Sequence, residues 1–209
     1  MPKQKRSKII LGVTGSLACG KSTVARMFKA HDGELIDADR LAHESMFRGG
    51  VVYKKIVNFF GNGILKNGGI IDRQKLAGIV FIHNSALKKL NSIIHPVVIK
   101  EIYRRIRDSK KPLVILDAPL IIETGLRKMV DKLVVVSVRR DQQFSRAKKI
   151  SALSNEQIDL RIKSQIPLRR KVRLADFIID NSGAISKTRK QVSEIRRALA
   201  RLAGKGFSG

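Results

Sequence analysis

The sequence predicts an α/β fold, with buried parallel strands alternating with helices. Apolar runs of strand length recur at 8–14, 34–37, 112–117, 132–137 and 176–180. The runs at 112–117 and 132–137 are continuous rather than alternating, as in parallel strands covered on both faces. Between the first run and a helix-periodic segment stands Gly15-Ser16-Leu17-Ala18-Cys19-Gly20-Lys21-Ser22-Thr23. It fits G-x-x-x-x-G-K-S, and a strand before it with a helix after it is the context that this motif requires.

The first strand is Lys8-Ile-Ile-Leu-Gly-Val-Thr14, and the helix follows over 22–30, with Val24, Met27 and Phe28 at helical spacing. Glycines in the intervening loop let backbone N–H groups turn inward with no Cβ in the way. The helix start near Lys21 adds the positive end of its dipole. Such a nest accommodates the β-phosphate of ATP, with Lys21 reaching the β- and γ-phosphates and the Ser22 hydroxyl available to Mg²⁺. The bland alternative is a glycine-rich turn with no ligand. Cys19 is expected to point out of the loop, and no partner base in the nearby sequence marks it as a nucleophile.

The 209 residues suffice for one domain with a sizeable core and room for an inserted subdomain. A hydrophobic content of 43% excludes a disordered chain. One cysteine excludes an internal disulfide framework and fits a reducing cytoplasm. No apolar run reaches the roughly 20 residues that cross a bilayer, so no membrane association is expected. The basic start, 1–8, leads into a run interrupted by Gly12 and does not have the form of a signal peptide. The formal net charge is +26. Nucleic acid, polyanionic nucleotides and a generally basic surface all compete as its cause. The surface explanation is preferred. With two Tyr and no Trp a base-stacking platform is poorly supplied, and nucleic acid is not expected as a partner.

The short strand at 34–37 ends in Asp37-Ala-Asp39. Ligands of open α/β sheets lie at the carboxyl ends of the strands. Asp39 is therefore a candidate base for an attacking hydroxyl, with helix N-capping as the other role open to either aspartate. From 45 to 107 the pattern is mostly helical, with helices over 53–60, 73–81 and 86–94 and glycine turns at Gly61-Asn-Gly63 and Asn67-Gly-Gly69. His95-Pro96 is expected to end the last of these helices. His95 lacks metal-ligand spacing to another His, so it is read as structural or acceptor-orienting.

The strand at 112–117 ends in Asp117, which has the place of a Walker-B group holding Mg²⁺ through its water shell, with a loop cap as the alternative. Glu123 follows, its role open between an ion pair and the active site. After the strand at 132–137 a helix over 141–149 carries Arg146, and Ser154-Asn-Glu-Gln157 has the form of a capping box. The cations of 146–171 suit a lid that closes over the triphosphate. Arg146 and Arg161 are assigned to it, whereas Arg169, Arg170 and Lys171 are assigned to solvent. The last strand ends at Asn181, which is expected to face the adenine. A helix over 184–202 has Val192, Ile195, Leu199 and Leu202 as its apolar stripe, and 204–209 should fray.

The order of these residues resembles the dephospho-CoA kinase family from about 9 to 183. The resemblance rests on Ile36-Asp-Ala-Asp39, Phe60-Gly61, Ile71-Asp-Arg-Gln-Lys-Leu-Ala77, Val80-Phe81 and Leu90 to His95-Pro96. It continues with Asp117-Ala-Pro-Leu-Ile-Ile-Glu123, Gln165-Ile-Pro-Leu168, and Ala175-Asp176 through Asp180-Asn-Ser-Gly183. It implies transfer of the ATP γ-phosphate to the 3′-hydroxyl of dephospho-CoA, giving CoA and ADP, the last step of CoA synthesis. The implied fold is a P-loop NTPase three-layer α/β/α sandwich with a five-stranded parallel sheet of order 2-3-1-4-5. Residues 1–209 would form a single kinase domain, with 45–107 as a helical CoA-binding insertion and 146–171 as the lid, working as a monomer or weak homo-oligomer.

On the family pattern Asp39 is the base, Lys21 and Ser22 are the phosphate and Mg²⁺ groups, and Arg146 is a lid arginine. Asn181 lies near the adenine, and Arg73 and His95 lie on the acceptor side. The chain departs from the pattern at Ser16 and Ala18, where the family usually has glycine, and at Cys19, where it has serine. Ile150-Ser151 stand where a second lid arginine is common. Lys148 or Lys149 would have to substitute, without the planar fork of a guanidinium. Other readings are a different small-molecule or nucleoside kinase on this scaffold, and a P-loop protein drawn to nucleic acid by its charge.

Overall fold

The computed structural model describes residues 8–29, 33–150 and 154–203. The basic segment 1–7, the end of the predicted first helix at Ala30, Ser151 of the expected lid and the terminal 204–209 lie outside these. Five strands form one parallel sheet: β1 (Ile9–Gly15), β2 (Gly33–Asp37), β3 (Leu113–Asp117), β4 (Lys132–Ser137) and β5 (Phe177–Asp180). Their order is β2-β3-β1-β4-β5, as the resemblance implied. β1 lies at the centre, with Val13 beside Asp117 of β3 and Gly15 beside Val136 of β4. The glycine loop, Asp117 and the end of β4 therefore share one carboxyl edge, the side on which such sheets bind ligands.

The chain divides into two compact units. One comprises the described residues up to Ile36 and those from Ile106 onward, and the other Asp37–Arg105. In the first, α1 (Lys21–Lys29) and α9 (Ile185–Ala203) cover one face of the sheet. Val24, Ala25 and Phe28 of α1 and Val192, Ile195 and Leu199 of α9 close a core with Leu11, Val13, Ile115, Val134 and Val136. Leu202, expected in the stripe of α9, is instead 63% exposed, near the end of the helix. Arg196 of α9 donates to Phe28 O at 2.6 Å, which gives a carbonyl near the end of α1 a cationic partner.

The second unit holds α2 (Ala38–Ser45), α3 (Val51–Phe60), α4 (Arg73–Val80) and most of α5 (Asn84–Asp108). Asp37 caps α2 by accepting from Arg40 N at 3.0 Å, and Asp72 caps α4 by accepting from Gln74 N and Lys75 N. Tyr53 ties α3 to the glycine turn through Gly69 O at 2.5 Å. α5 corrects the sequence reading, because the helix does not stop at His95-Pro96 but runs through Pro96. A proline inside a helix costs about 3 kcal/mol through a lost hydrogen bond and a crowded preceding turn. Ile94, Val98 and Ile102 continue one buried stripe across it. Each such burial contributes about 1.5–3 kcal/mol, so the stripe outweighs the break.

The remaining helices of the first unit are α6 (Arg140–Ile150), α7 (Asn155–Lys163) and α8 (Leu168–Arg173). α7 opens with the expected capping box: Gln157 N donates to Ser154 Oγ at 3.3 Å and Ser154 N to Gln157 Oε1 at 3.0 Å.

Candidate active site

The loop between β1 and α1 is shaped by its neighbours. A Cβ at Gly15 would press on Cys19 Sγ and Val136 O, and one at Gly20 would run into Asn181 Nδ2. Gly20 also has φ +87°, a region that only glycine enters freely. Ala18 has φ +54° and carries a Cβ there, at a cost of about 1–2 kcal/mol. The loop therefore turns through the left-handed region at Ala18 as well as at Gly20.

Cys19 corrects the expectation of an outward side chain. It is 1% exposed, packed among Leu11, Val13 and Val24. Burial pushes its pKa up to about 11, so the group is a neutral core thiol rather than a nucleophile. Only its backbone can serve a phosphate.

When N–H groups converge inward, the loop's carbonyls face outward and need donors. Two amides supply them. Gln143 Nε2, on α6, donates to Leu17 O at 2.7 Å and Ser16 Oγ at 2.9 Å. Asn181 Nδ2, just past β5, donates to Cys19 O at 2.9 Å, while Asn181 Oδ1 accepts from Thr188 at 2.9 Å. The Asn181 side chain, expected to face the adenine, is thus engaged on the loop and on α9. Its main-chain oxygen accepts from Arg146 at 2.9 Å. The sequence reading did not single out Gln143. The available signal was its place one turn before Arg146 on the same helix face.

Lys21 and Asp117 form a buried ion pair, the Lys21 ammonium donating to Asp117 Oδ1. Asp117 is fully buried, and its second oxygen, Oδ2, has no hydrogen-bond partner. Ser22 follows Lys21 in the first turn of α1. A buried carboxylate oxygen without a donor, in the same loop system as a lysine and a serine hydroxyl, suits a water of a metal's hydration shell.

Lys171 also departs from expectation. It was assigned to solvent with Arg169 and Arg170, which are indeed exposed, yet Lys171 is completely buried. Its Nζ donates to Pro119 O at 2.6 Å and lies 3.1 Å from Glu123 Oε1. Glu123, left open by the sequence, is therefore the partner of an ion pair and also accepts from Ile166 N at 3.1 Å. Of the other cations in 146–171, Arg161 is partly buried on α7, and Lys148 and Lys149 are exposed.

In the second unit Asp39 stands in the first turn of α2, directly before Arg40, whose backbone N–H donates to the Asp37 side chain. The capping role open to either aspartate is thus held by Asp37. His43 follows one turn after Asp39 and was not singled out. Burial and the Arg73 guanidinium hold its pKa below the usual value, while Asp39 and Asp37 pull the other way. Arg73, His43 and the two aspartates therefore act on one another within this unit. His95 is half-buried in α5, and that burial lowers its pKa.

A family model described as CoaE, dephospho-CoA kinase, matches residues 9–187. The chain belongs to the dephospho-CoA kinase family. The dephospho-CoA kinase of Aquifex aeolicus (strain VF5) is 43% identical over 192 residues, covering 91% of this chain and 97% of the relative. Among solved structures, TT1252 from Thermus thermophilus superposes with a TM-score of 0.76 at 26% identity, over 92% of this chain and 98% of the other. The dephospho-CoA kinase from Campylobacter jejuni does so with a TM-score of 0.67 at 28% identity, over 93% and 98%. Among the described residues no helix is long and apolar enough to cross a membrane.

Proposed function

We propose that the chain transfers the γ-phosphate of ATP to the 3′-hydroxyl of dephospho-CoA, giving CoA and ADP. The observation that carries this reading is the buried Lys21–Asp117 pair at the start of α1, directly after the glycine loop, in a chain of this family. The nest amides and Lys21 hold the β- and γ-phosphates. Asp39 accepts the proton of the 3′-hydroxyl as its oxygen bonds to the γ-phosphorus and the bond to the β-phosphate oxygen breaks. Arg146 offsets the charge that spreads over the transferred group. Arg73 and His95 bind the acceptor.

Ser22 and Asp117, with its unpartnered Oδ2, fit Mg²⁺ held mainly by phosphate and water. Bound Mg²⁺ supplies charge neutralisation at the β- and γ-oxygens. The buried, unpaired Cys19 supports a reducing compartment, the cytoplasm.

The test is to mix the purified protein with ATP, Mg²⁺ and dephospho-CoA and analyse the products by mass spectrometry. CoA with an equal amount of ADP is expected. Phosphorylation of other alcohols in an acceptor panel, with dephospho-CoA untouched, would overturn the reading.

A further inference from the structure

Two lysines are buried among the described residues, Lys21 and Lys171. The first belongs to the phosphate loop, and the phosphoryl-transfer chemistry above does not use the second. Removing an ammonium from water costs several kcal/mol, so its partners must be well placed. Lys171 has two oxygens, Pro119 O and Glu123 Oε1. Pro119 O accepts a second hydrogen bond, from Thr14 Oγ1 at 3.0 Å. Thr14 immediately precedes Gly15, and Pro119 lies two residues beyond Asp117. One carbonyl thus joins the end of β1, the turn after β3 and the middle of α8. Glu123 adds a second tie, because Oε1 also holds Ile166 N, on the segment leading into α8.

We propose that Lys171 is a positioning residue for phosphoryl transfer: it fixes the 117–119 turn against the end of β1, so that Asp117 keeps its place on Lys21, and it anchors the α8 end of the lid region to that turn. The inference rests on the phosphate-site reading of Lys21 and Asp117. Burial lowers the Lys171 pKa, and the Glu123 carboxylate beside it offsets part of that cost. A lysine present only for stability could be replaced by an apolar side chain of similar length with no kinetic consequence. A positioning lysine could not.

The experiment compares wild type with Lys171→Met and Glu123→Gln, at a temperature well below each melting transition. The readouts are kcat, both KM values and, by calorimetry without metal, the affinity for ATP. For Lys171→Met the expected result is a fall in kcat of about tenfold or more and weaker metal-free ATP binding, with the KM for dephospho-CoA unchanged. Glu123→Gln keeps an oxygen for Ile166 N and removes the charge, and it should lower kcat several-fold in the same pattern. Should Lys171→Met not fold, Glu123→Gln alone decides. A folded variant with wild-type kcat and wild-type metal-free ATP affinity overturns the proposal. If wild type makes no CoA, the function reading fails separately, and the metal-free ATP affinity still tests Lys171.

Discussion

Gln143 and Ser16 are 127 positions apart in the chain, yet Gln143 Nε2 donates to Ser16 Oγ at 2.9 Å and to Leu17 O at 2.7 Å. One α6 side chain thus holds the outer rim of the phosphate loop, and Arg146, one turn later on α6, reaches the Asn181 carbonyl. The same helix supplies both the Gln143 contacts to the loop and the Arg146 contact to Asn181. Replacing Gln143 with Leu removes both donors. At about 1 kcal/mol per hydrogen bond, the KM for ATP should rise roughly thirtyfold, with the KM for dephospho-CoA unchanged in steady-state kinetics.

The Lys21–Asp117 pair predicts a stability effect as well as a catalytic one. Lys21→Ala leaves a fully buried carboxylate without its cation. Unfolding in denaturant should show a loss of about 3–5 kcal/mol, and the double variant Lys21→Met with Asp117→Asn should regain part of it without regaining activity.

Asp37 and Asp39 are expected to separate in stability and turnover. Asp37→Ala removes the cap of α2 and should cost about 1 kcal/mol of stability. Asp39→Ala leaves that cap in place and should lower CoA formation by about 10²–10⁴-fold. Turnover and melting measured on both variants check the separation.

Ala18 carries strain at φ +54°. Ala18→Gly relieves about 1–2 kcal/mol of it and returns about 0.4–1 kcal/mol to the unfolded chain's entropy. Denaturant unfolding should show a net gain of up to about 1 kcal/mol.

Cys19 makes stability fall at high pH. Its folded pKa, about 11, lies above the ordinary thiol value of 9.0, so its contribution is complete below the unfolded pKa and is lost as pH rises from 9 to 11. The stability difference between wild type and Cys19→Ala should therefore shrink by about 2–3 kcal/mol between pH 8 and pH 11, read from paired denaturant curves.

The legible parts of this site are those written locally. Gly15 to Thr23, the strand before it and the helix after it lie within one stretch, and Asp117 ends an unbroken apolar run. The strand order came from the family resemblance, since no local pattern records which strands pair. Gln143, Thr14 and Pro119 act through contacts across the chain that leave no periodic trace. The Lys171 burial was hidden by the charge run Arg169-Arg170-Lys171, although Leu168, Lys171 and Val172 share one helical face. Pro96 misled because a strong local breaker was outweighed by a buried stripe on both sides of it.

The central claim is that the Lys21 nest delivers a terminal phosphate to one particular hydroxyl. It is tested most directly by incubating the protein with γ-³²P-labelled ATP and dephospho-CoA and treating the product with a 3′-specific nucleotidase. The account predicts labelled CoA whose label the nucleotidase releases completely, and no labelled product from Lys21→Ala. Label that resists the nucleotidase, or equal transfer by Lys21→Ala, would contradict it.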